Sequence, residues 1–160
     1  MNKMSINNHS KFPYQEISNL IDYFYDRNPE MYKPNVHIEI GSEKTRLILG
    51  RFTHVFQLPS SPIGLYLNLR DKKFTRSSKL KTLLDFTYSI IPSDFVVLVK
   101  NSDCKQFLFE SIIHELTHVG DDSIPENIAE MHAIFFVRNY LTQKQPQGEL
   151  KCRISNFLVR

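Results

Sequence analysis

The sequence predicts an α+β fold, in which a small, mostly antiparallel or mixed sheet packs on two consecutive helices of the second half of the chain. Short runs rich in β-branched and aromatic residues, separated by turn residues, fill the middle of the chain, whereas flanking segments repeat apolar residues at helical spacing. No Pro/Gly/Ser-rich linker, internal repeat or low-complexity tract interrupts the 160 residues. We therefore expect a single domain spanning 1–160.

The first predicted helix spans residues 14–26. Its apolar residues fall on one side of a helix with 3.6 residues per turn: Ile17, Leu20, Ile21 and Phe24. The preceding residues 1–13 are mostly polar, and we expect them to form a loose N-terminal arm.

Strands are predicted next, because β-branched and aromatic runs alternate with turn residues. The predicted strands are 36–40, 45–49, 52–58, 63–69 and 95–100, and a helix at 78–90 lies between the last two. The nearly continuous apolar run 95–99 predicts a buried strand. Segment 63–70 is predicted to be a sheet edge, where a peptide substrate can add as a further strand.

A predicted helix at about 104–119 carries the motif H-E-x-x-H, with His114, Glu115 and His118. Residues four apart share a helix face, so both imidazoles can reach one metal ion while Glu115 lies beside a metal-activated water. Most other residues of this helix are apolar, which predicts a mostly buried helix, where two histidines are unexpected unless they have a specific role. The alternative is a pair of core histidines bonded to carbonyl groups, or an exposed pair at helical spacing.

H-E-x-x-H is the arrangement found in zinc peptidases, whose metal site takes a third protein ligand and keeps one position for water. Gly120 is expected to end the helix in a left-handed cap, and a second helix is expected from Pro125 to about Leu141. Glu126 falls in the first turn of this returning helix and is the predicted third ligand. Glu130, one turn further on the same face, is predicted to accept a hydrogen bond from the other ring N–H of a ligand histidine.

Glu126 has a second interpretation. Ser123 and Glu126 match the capping box S-x-x-E, in which the carboxylate satisfies a backbone amide instead of binding a metal. Asp122, Glu130 and His132 also stay open as third ligands, because the link between the two helices is short.

The combination of H-E-x-x-H with a later Glu126-x-x-x-Glu130 resembles the gluzincin branch of the zincin metallopeptidases. The runs 118–122 and 126–130 are similar to the lethal-factor and Pro-Pro endopeptidase catalytic domains, and the compact size is similar to small bacterial effector and toxin peptidases. Residues 107–141 carry the resemblance, although the link between the motifs is shorter here, and no residue matches the oxyanion-stabilising tyrosine or histidine of many such enzymes. The resemblance implies a zincin-like fold with one zinc ion (Zn2+) per chain.

These residues together predict a zinc-dependent endopeptidase that hydrolyses a peptide bond in a specific protein substrate. A metal-activated water would attack the carbonyl group, with Glu115 as its general base. The resemblance and the small size imply a bacterial toxin or effector, or a regulatory protease. The alternative is a non-catalytic binding module with a structural metal or none, which a fourth protein ligand such as His132 or Asp122 would favour.

Charge and hydropathy indicate no partner beyond a protein or peptide substrate. The net charge is +3, and the densest basic group is interpreted as solvated surface, so no nucleic acid is expected: Arg70, Lys72, Lys73, Arg76, Lys79 and Lys81. No apolar run approaches the roughly 20 residues that span a bilayer, and no signal sequence is recognised. We expect a chain that is cytoplasmic as synthesised, with export or injection left open. Cys104 and Cys152 fit free thiols, or one disulfide in an exported protein.

Overall fold

The computed structural model describes residues 4–73 and 76–144 of the chain. The described residues fall into two units, the first within Met1–His9 and Lys33–Lys100 and the second within Ser10–Tyr32 and Asn101–Arg160. In chain order, the strands and α-helices are β1 (Ser5–Asn8), α1 (Tyr14–Arg27), β2 (Val36–Ile40), α2 (Glu43–Val55), β3 (Gly64–Asn68), α3 (Ser78–Ile90), β4 (Phe95–Val99), α4 (Lys105–Gly120) and α5 (Glu126–Lys144). Short 3₁₀ turns cover Pro29–Met31 and Leu69–Lys73. Among the helices described, none is long and apolar enough to cross a membrane.

As far as the structure describes the chain, the first unit is built on a four-stranded sheet in the order β1-β2-β4-β3. β2 is parallel to both of its neighbours, β1 and β4, and β3 is antiparallel to β4. This mixed sheet, with its accompanying helices, confirms the predicted α+β class. β3 lies at a sheet edge as predicted, and β4 is buried along its whole length, as its apolar run indicated.

Helix α2 replaces the two strands predicted within 45–58. The hydroxyl of Ser42 accepts a hydrogen bond from the backbone N–H of Thr45 at 3.1 Å and caps the start of the helix. Thr45, Ile48 and Leu49 are buried, and their spacing of three and four residues places them on one helix face. The strand prediction was wrong because β-branched residues suggested strands, whereas burial of this face in the apolar core of the first unit favours the helix.

Strand β1 lies within the segment 1–13 that was predicted to be a loose arm. It pairs in parallel with β2, with Ser5 opposite His37 and Asn8 opposite Ile40. The expectation of a loose arm is wrong for this strand, because backbone pairing with a strand distant in sequence orders a polar segment that has no amphipathic pattern of its own.

The second unit contains α1, α4 and α5. The largest buried side chains of its core are Phe24 of α1 and Phe109 of α4. All three helices lie where the sequence predicted them, and α5 continues to Lys144 rather than ending near Leu141. The sulfur of Cys104 caps α4 by accepting a hydrogen bond from a backbone N–H. Cys104 is disulfide-bonded rather than a free thiol, and the other cysteine of the chain lies outside the described residues.

Helix α4 ends at Gly120, but not in the predicted left-handed cap. Among the described glycines, Gly41 is the one with a positive φ, at 64°, and Asp121 after the helix is extended with φ −149°. A Cβ atom added to Gly120 would lie 2.8 Å from the Cα atom and 2.4 Å from the Sδ atom of Met31. The glycine is therefore required by the close packing of the first 3₁₀ turn against the helix end, and not by an unusual backbone angle.

Candidate metal centre

Helix α4 carries three of the predicted site residues, and burial of most of its surface holds them in place. The apolar residues buried around them are Ile112, Ile113, Leu116 and Val119. The rings of His114 and His118 follow one another on one helix face, with 4.9 Å between their centroids. Glu115, between them in sequence, is buried.

The turn after α4 brings the first residue of α5 to the two histidines. The carboxylate of Asp121 stabilises this turn by accepting hydrogen bonds from the backbone N–H of Ser123 at 3.0 Å and from its hydroxyl at 2.6 Å. Helix α5 then packs against α4. One carboxylate oxygen of Glu126 lies 3.0 Å from Nε2 of His114, and the other lies 3.1 Å from Nε2 of His118.

The resulting group can hold a metal ion. The candidate ligand atoms of His114, His118 and Glu126 all lie within 4.8 Å of one another. Nε2 of His118 is buried and makes no hydrogen bond, because its approach to Glu126 has the distance of an ion pair without the direction of a hydrogen bond. A buried polar nitrogen without a hydrogen bond is rare in proteins, and coordination to a metal ion would satisfy it. Two imidazoles and one carboxylate form a donor set that fits a divalent transition metal.

Burial sets the protonation states of this centre. The side chains of His114 and His118 are 19% and 10% exposed, whereas that of Glu126 is 81% exposed. Burial lowers the pKa of His114 against the opposing effect of the Glu126 carboxylate, which favours the neutral imidazole that binds metals. Burial also raises the pKa of Glu115 to about 8, and the negative charge of Glu126 contributes to the rise. Without a metal, Glu115 is therefore mostly protonated at neutral pH.

The other candidates for third ligand lie outside this group. Within the ranges that the structure describes, Asp122, Glu130 and His132 do not belong to any set of side chains close enough to share an ion. Glu130 is exposed, and its charge raises the pKa of His114. Its carboxylate thus influences the centre electrostatically, while its predicted hydrogen bond to a ligand histidine stays a prediction.

The capping interpretation of Glu126 does not describe the turn that is observed. The hydroxyl of Ser123, which would act as the cap, donates to the Asp121 carboxylate. The carboxylate of Glu126 points instead to the histidines of α4. This placement favours the ligand interpretation over the cap.

His132 makes a contact that sequence reasoning missed. Its Nδ1 lies 3.1 Å from the hydroxyl of Thr117, and that hydroxyl donates to the carbonyl of Ile113 at 2.8 Å. Since a hydroxyl has one proton, Nδ1 of His132 is the donor to Thr117. Burial lowers the pKa of His132, so this ring is neutral and fixed between the two helices. Helical spacing already indicated that it faces away from Glu126, but the partner depends on how α5 packs on α4.

The centre therefore combines a partly exposed group that could bind a metal ion with a buried carboxylic acid adjacent to it in sequence. Such a combination can bind a cation, exclude bulk water from the acid and transfer a proton. Searches with protein-family models, among curated proteins and among solved structures found no match to this chain.

Proposed function

We propose that this chain is a zinc-dependent endopeptidase that hydrolyses a peptide bond in a specific protein substrate. The observation that carries the proposal is the buried Nε2 of His118, which makes no hydrogen bond although it converges with His114 on Glu126. Purely structural histidines on a buried helix would be expected to satisfy such an atom with a carbonyl or hydroxyl group.

The number and type of ligands support zinc in a catalytic role. Neutral imidazoles and a carboxylate are common zinc ligands, and catalytic sites use three of them so that one position stays open for water or substrate. In the described part of the chain, no fourth side chain joins the group. The assignment to the gluzincins, with a zincin-like fold, belongs to this proposal and is supported by Glu126 at the start of the helix that follows the motif.

The residues have distinct roles in this proposal. His114 and His118 would hold the ion through Nε2, and Glu126 through its carboxylate. When bound, a divalent cation would supply a Lewis acid that makes a water acidic, polarises a peptide carbonyl and lowers the pKa of the neighbouring Glu115. Glu115 would accept a proton from the water at a carboxylate oxygen and pass it to the leaving amine. Its burial keeps bulk water from competing for that proton.

The resemblance to gluzincins extends the proposal to a biological role. A small catalytic chain of this kind would act as a toxin, an effector or a regulatory protease on one protein, rather than as a digestive enzyme. Its place of action would be the cytoplasm of its own cell or of a cell that receives it.

Metal content per chain tests the ligand set. Mass spectrometry on the full, untagged chain should find about one zinc in the wild type, and His118→Ala and Glu126→Ala should lose it. His132→Ala and Glu130→Gln are matched controls from α5 that should keep it. Loss of zinc in one of these controls, with zinc kept in Glu126→Ala, would identify the control residue as the third ligand. A wild-type chain that takes up no zinc when zinc is supplied would contradict the proposal and favour the alternative of a non-catalytic binding module.

Hydrolysis of a peptide library or of a cell lysate, followed by identification of new N-termini, tests the catalytic role. The zinc-loaded wild type should cut at defined positions, and Glu115→Gln should be slower by about 100-fold or more, because a general base contributes at least that much. Metal analysis of the same samples should show zinc in both proteins. Equal cleavage by Glu115→Gln would overturn the role of Glu115, and zinc binding without any cleavage would favour the binding module.

A further inference from the structure

A second group of polar side chains lies in the first unit, across the neighbouring strands β1 and β2. In the parallel register, Ser5 is opposite His37 and Asn7 is opposite Glu39. Alternate residues of a strand share a face, so these four side chains lie on one side of the sheet. This group is independent of the metal centre, and all its members belong to the first unit.

Glu39 is the buried end of this group. It has no exposed surface, and its carboxylate accepts hydrogen bonds from Nε2 of His37 at 2.5 Å and from the side-chain amide of Asn7. Burial by itself would raise the pKa of Glu39, but hydrogen bonds from His37, Ser42 and Asn7 outweigh it and hold the pKa below its ordinary value. The side chain is therefore an ionised carboxylate in the interior of the unit.

The ionised carboxylate determines the tautomer of His37. Because a carboxylate can only accept, Nε2 of a neutral His37 must carry the ring proton, which leaves a lone pair on Nδ1. In this neutral form the hydroxyl of Ser5 donates to Nδ1, which lies 2.6 Å from the hydroxyl oxygen. A continuous chain of hydrogen bonds thus runs from the exposed Ser5 through His37 to Glu39.

Ser5 and His37 also line a cavity of about 390 Å³, together with Lys44, Tyr88 and Asp94. This volume falls in the range of small-molecule sites, about 300–1,000 Å³. Lys44 contributes a positive charge and Asp94 a negative charge to the wall, and the ammonium group of Lys44 would be the one to stabilise an oxyanion. The serine hydroxyl therefore borders a space that a small ligand can enter.

We infer that Ser5, His37 and Glu39 form a second catalytic site, in which Ser5 is the nucleophile toward small carboxylic esters that enter this cavity. A nucleophile within hydrogen-bond distance of a base, with the base oriented by a third group, is the arrangement of serine hydrolases on many unrelated folds. His37 is the general base, and Glu39 is a positioning residue that fixes its tautomer and stabilises the imidazolium.

The reaction is balanced by these groups and water. Oγ of Ser5 forms a bond to the ester carbonyl carbon while its proton moves to Nδ1 of His37. The bond from that carbon to the leaving oxygen then breaks, and His37 returns the proton to that oxygen, which releases the alcohol. Water repeats the same steps on the acylated Ser5, so that a carboxylic acid is released and the hydroxyl is restored.

Covalent labelling of the full chain tests this inference. A fluorophosphonate probe, with p-nitrophenyl acetate as the substrate in parallel, would be applied in EDTA so that no metal-dependent reaction contributes. Peptide mass spectrometry should place the label on Ser5, and Ser5→Ala should remove it. Ser89→Ala is the matched control, because this exposed serine donates its hydroxyl to the carbonyl of Phe86 at 2.6 Å instead of to an imidazole. His37→Gln should slow labelling by about 100-fold or more.

Absence of label on Ser5, or equal labelling rates in wild type and a folded His37→Gln, would overturn the inference. The tautomer provides a second measurement that needs no variant. ¹⁵N NMR of the wild-type imidazoles should show His37 with its proton on Nε2, and a neutral ring protonated on Nδ1 would also overturn it.

Discussion

Each unit of this protein contains histidine and glutamate side chains in contact, but the two groups differ in hydrogen bonding and in the exposure of the glutamate. In the metal centre, Nε2 of His118 is buried without a hydrogen bond, and Glu126 is 81% exposed. In the first unit, both ring nitrogens of His37 have partners, and Glu39 has no exposed surface. The group of His114, His118 and Glu126 is open and leaves room for a cation. The group of Ser5, His37 and Glu39 is closed, because its hydrogen bonds already form a path for a proton.

The difference follows from the secondary structure that carries each group. Helical spacing of four residues places His114 and His118 side by side, with ring centroids 4.9 Å apart and with no hydrogen bond at Nε2 of His118. Strand spacing of two residues places His37 beside Glu39, and the neighbouring strand adds further donors. The same residue types therefore have different hydrogen-bond partners, because the secondary structure that carries them differs.

Zinc should distinguish the two groups most strongly. At a free zinc concentration about 1,000 times the dissociation constant, binding to the folded chain should raise the free energy of unfolding by about 4 kcal/mol. Denaturant unfolding of EDTA-treated protein, with and without added zinc, measures this gain. His118→Ala should show none of it, while His37→Gln should keep it. An equal gain in His118→Ala would place zinc elsewhere.

Glu115→Gln should stabilise the metal-free protein at pH 7 by about 3 kcal/mol. Burial raises the pKa of Glu115 in the folded chain to about 8, from an ordinary value of 4.5. Between these values the folded state binds a proton that the unfolded state does not, so stability falls as the pH rises from about 4.5 to about 8. Glutamine is neutral and avoids this loss.

The pH dependence is the control for that prediction. Below about pH 4 both states of the wild type are protonated, and the two proteins should have nearly equal stability in denaturant unfolding with EDTA. Glu30→Gln, an exchange at an exposed position, should change stability by less than about 0.5 kcal/mol at either pH. A wild type that is as stable as Glu115→Gln at pH 7 would show that Glu115 is not a buried acid.

The sequence predicted the helices of the second unit well, because the spacing of apolar residues that indicates a helix lies within the helix itself. Apolar spacing located α1, α4 and α5, and the H-E-x-x-H pattern selected residues that one helix turn holds together. Placement of Glu126 followed from chain reversal after His118 and from its position at a helix start. The partner of His132 was missed, because it depends on the packing of two helices.

Sequence predicted the sheet half less well, because strand pairing is not local. β1 was missed, since Ser5-Ile6-Asn7-Asn8 has little apolar character and is ordered by β2. α2 was mistaken for strands, since its β-branched residues have strand propensity while burial of one face favours a helix. The Ser5–His37–Glu39 group could not be recognised before the register of β1 and β2 was known.

Two helix glycines, one in each unit, differ in the space around them. Gly120→Ala in the second unit should reduce stability by about 2 kcal/mol, because its Cβ would lie 2.8 Å from the Cα atom of Met31. Gly50→Ala in the first unit is the matched control. No atom lies within 4 Å of its Cβ position in the described structure, so alanine should stabilise α2 by about 0.5–1 kcal/mol. Denaturant unfolding of both variants measures the two effects, and a stabilising Gly120→Ala would contradict the close packing.

Two variants of the metal-free protein, Asn7→Ala and Glu126→Gln, test how much the contacts of Glu39 and of Glu126 stabilise the fold. Asn7→Ala removes a donor to the buried carboxylate of Glu39, and denaturant unfolding in EDTA should show a loss of about 1.5 kcal/mol, since Glu39 keeps its other partners. Glu126→Gln should change stability by less than about 0.5 kcal/mol, because the Glu126 carboxylate is mostly exposed and water weakens its attraction to the histidines. Equal losses in the two variants would mean that Glu126 supports the fold as Glu39 does. A loss confined to Asn7→Ala would mean that the fold depends on the hydrogen bonds of Glu39 and not on the contacts of Glu126.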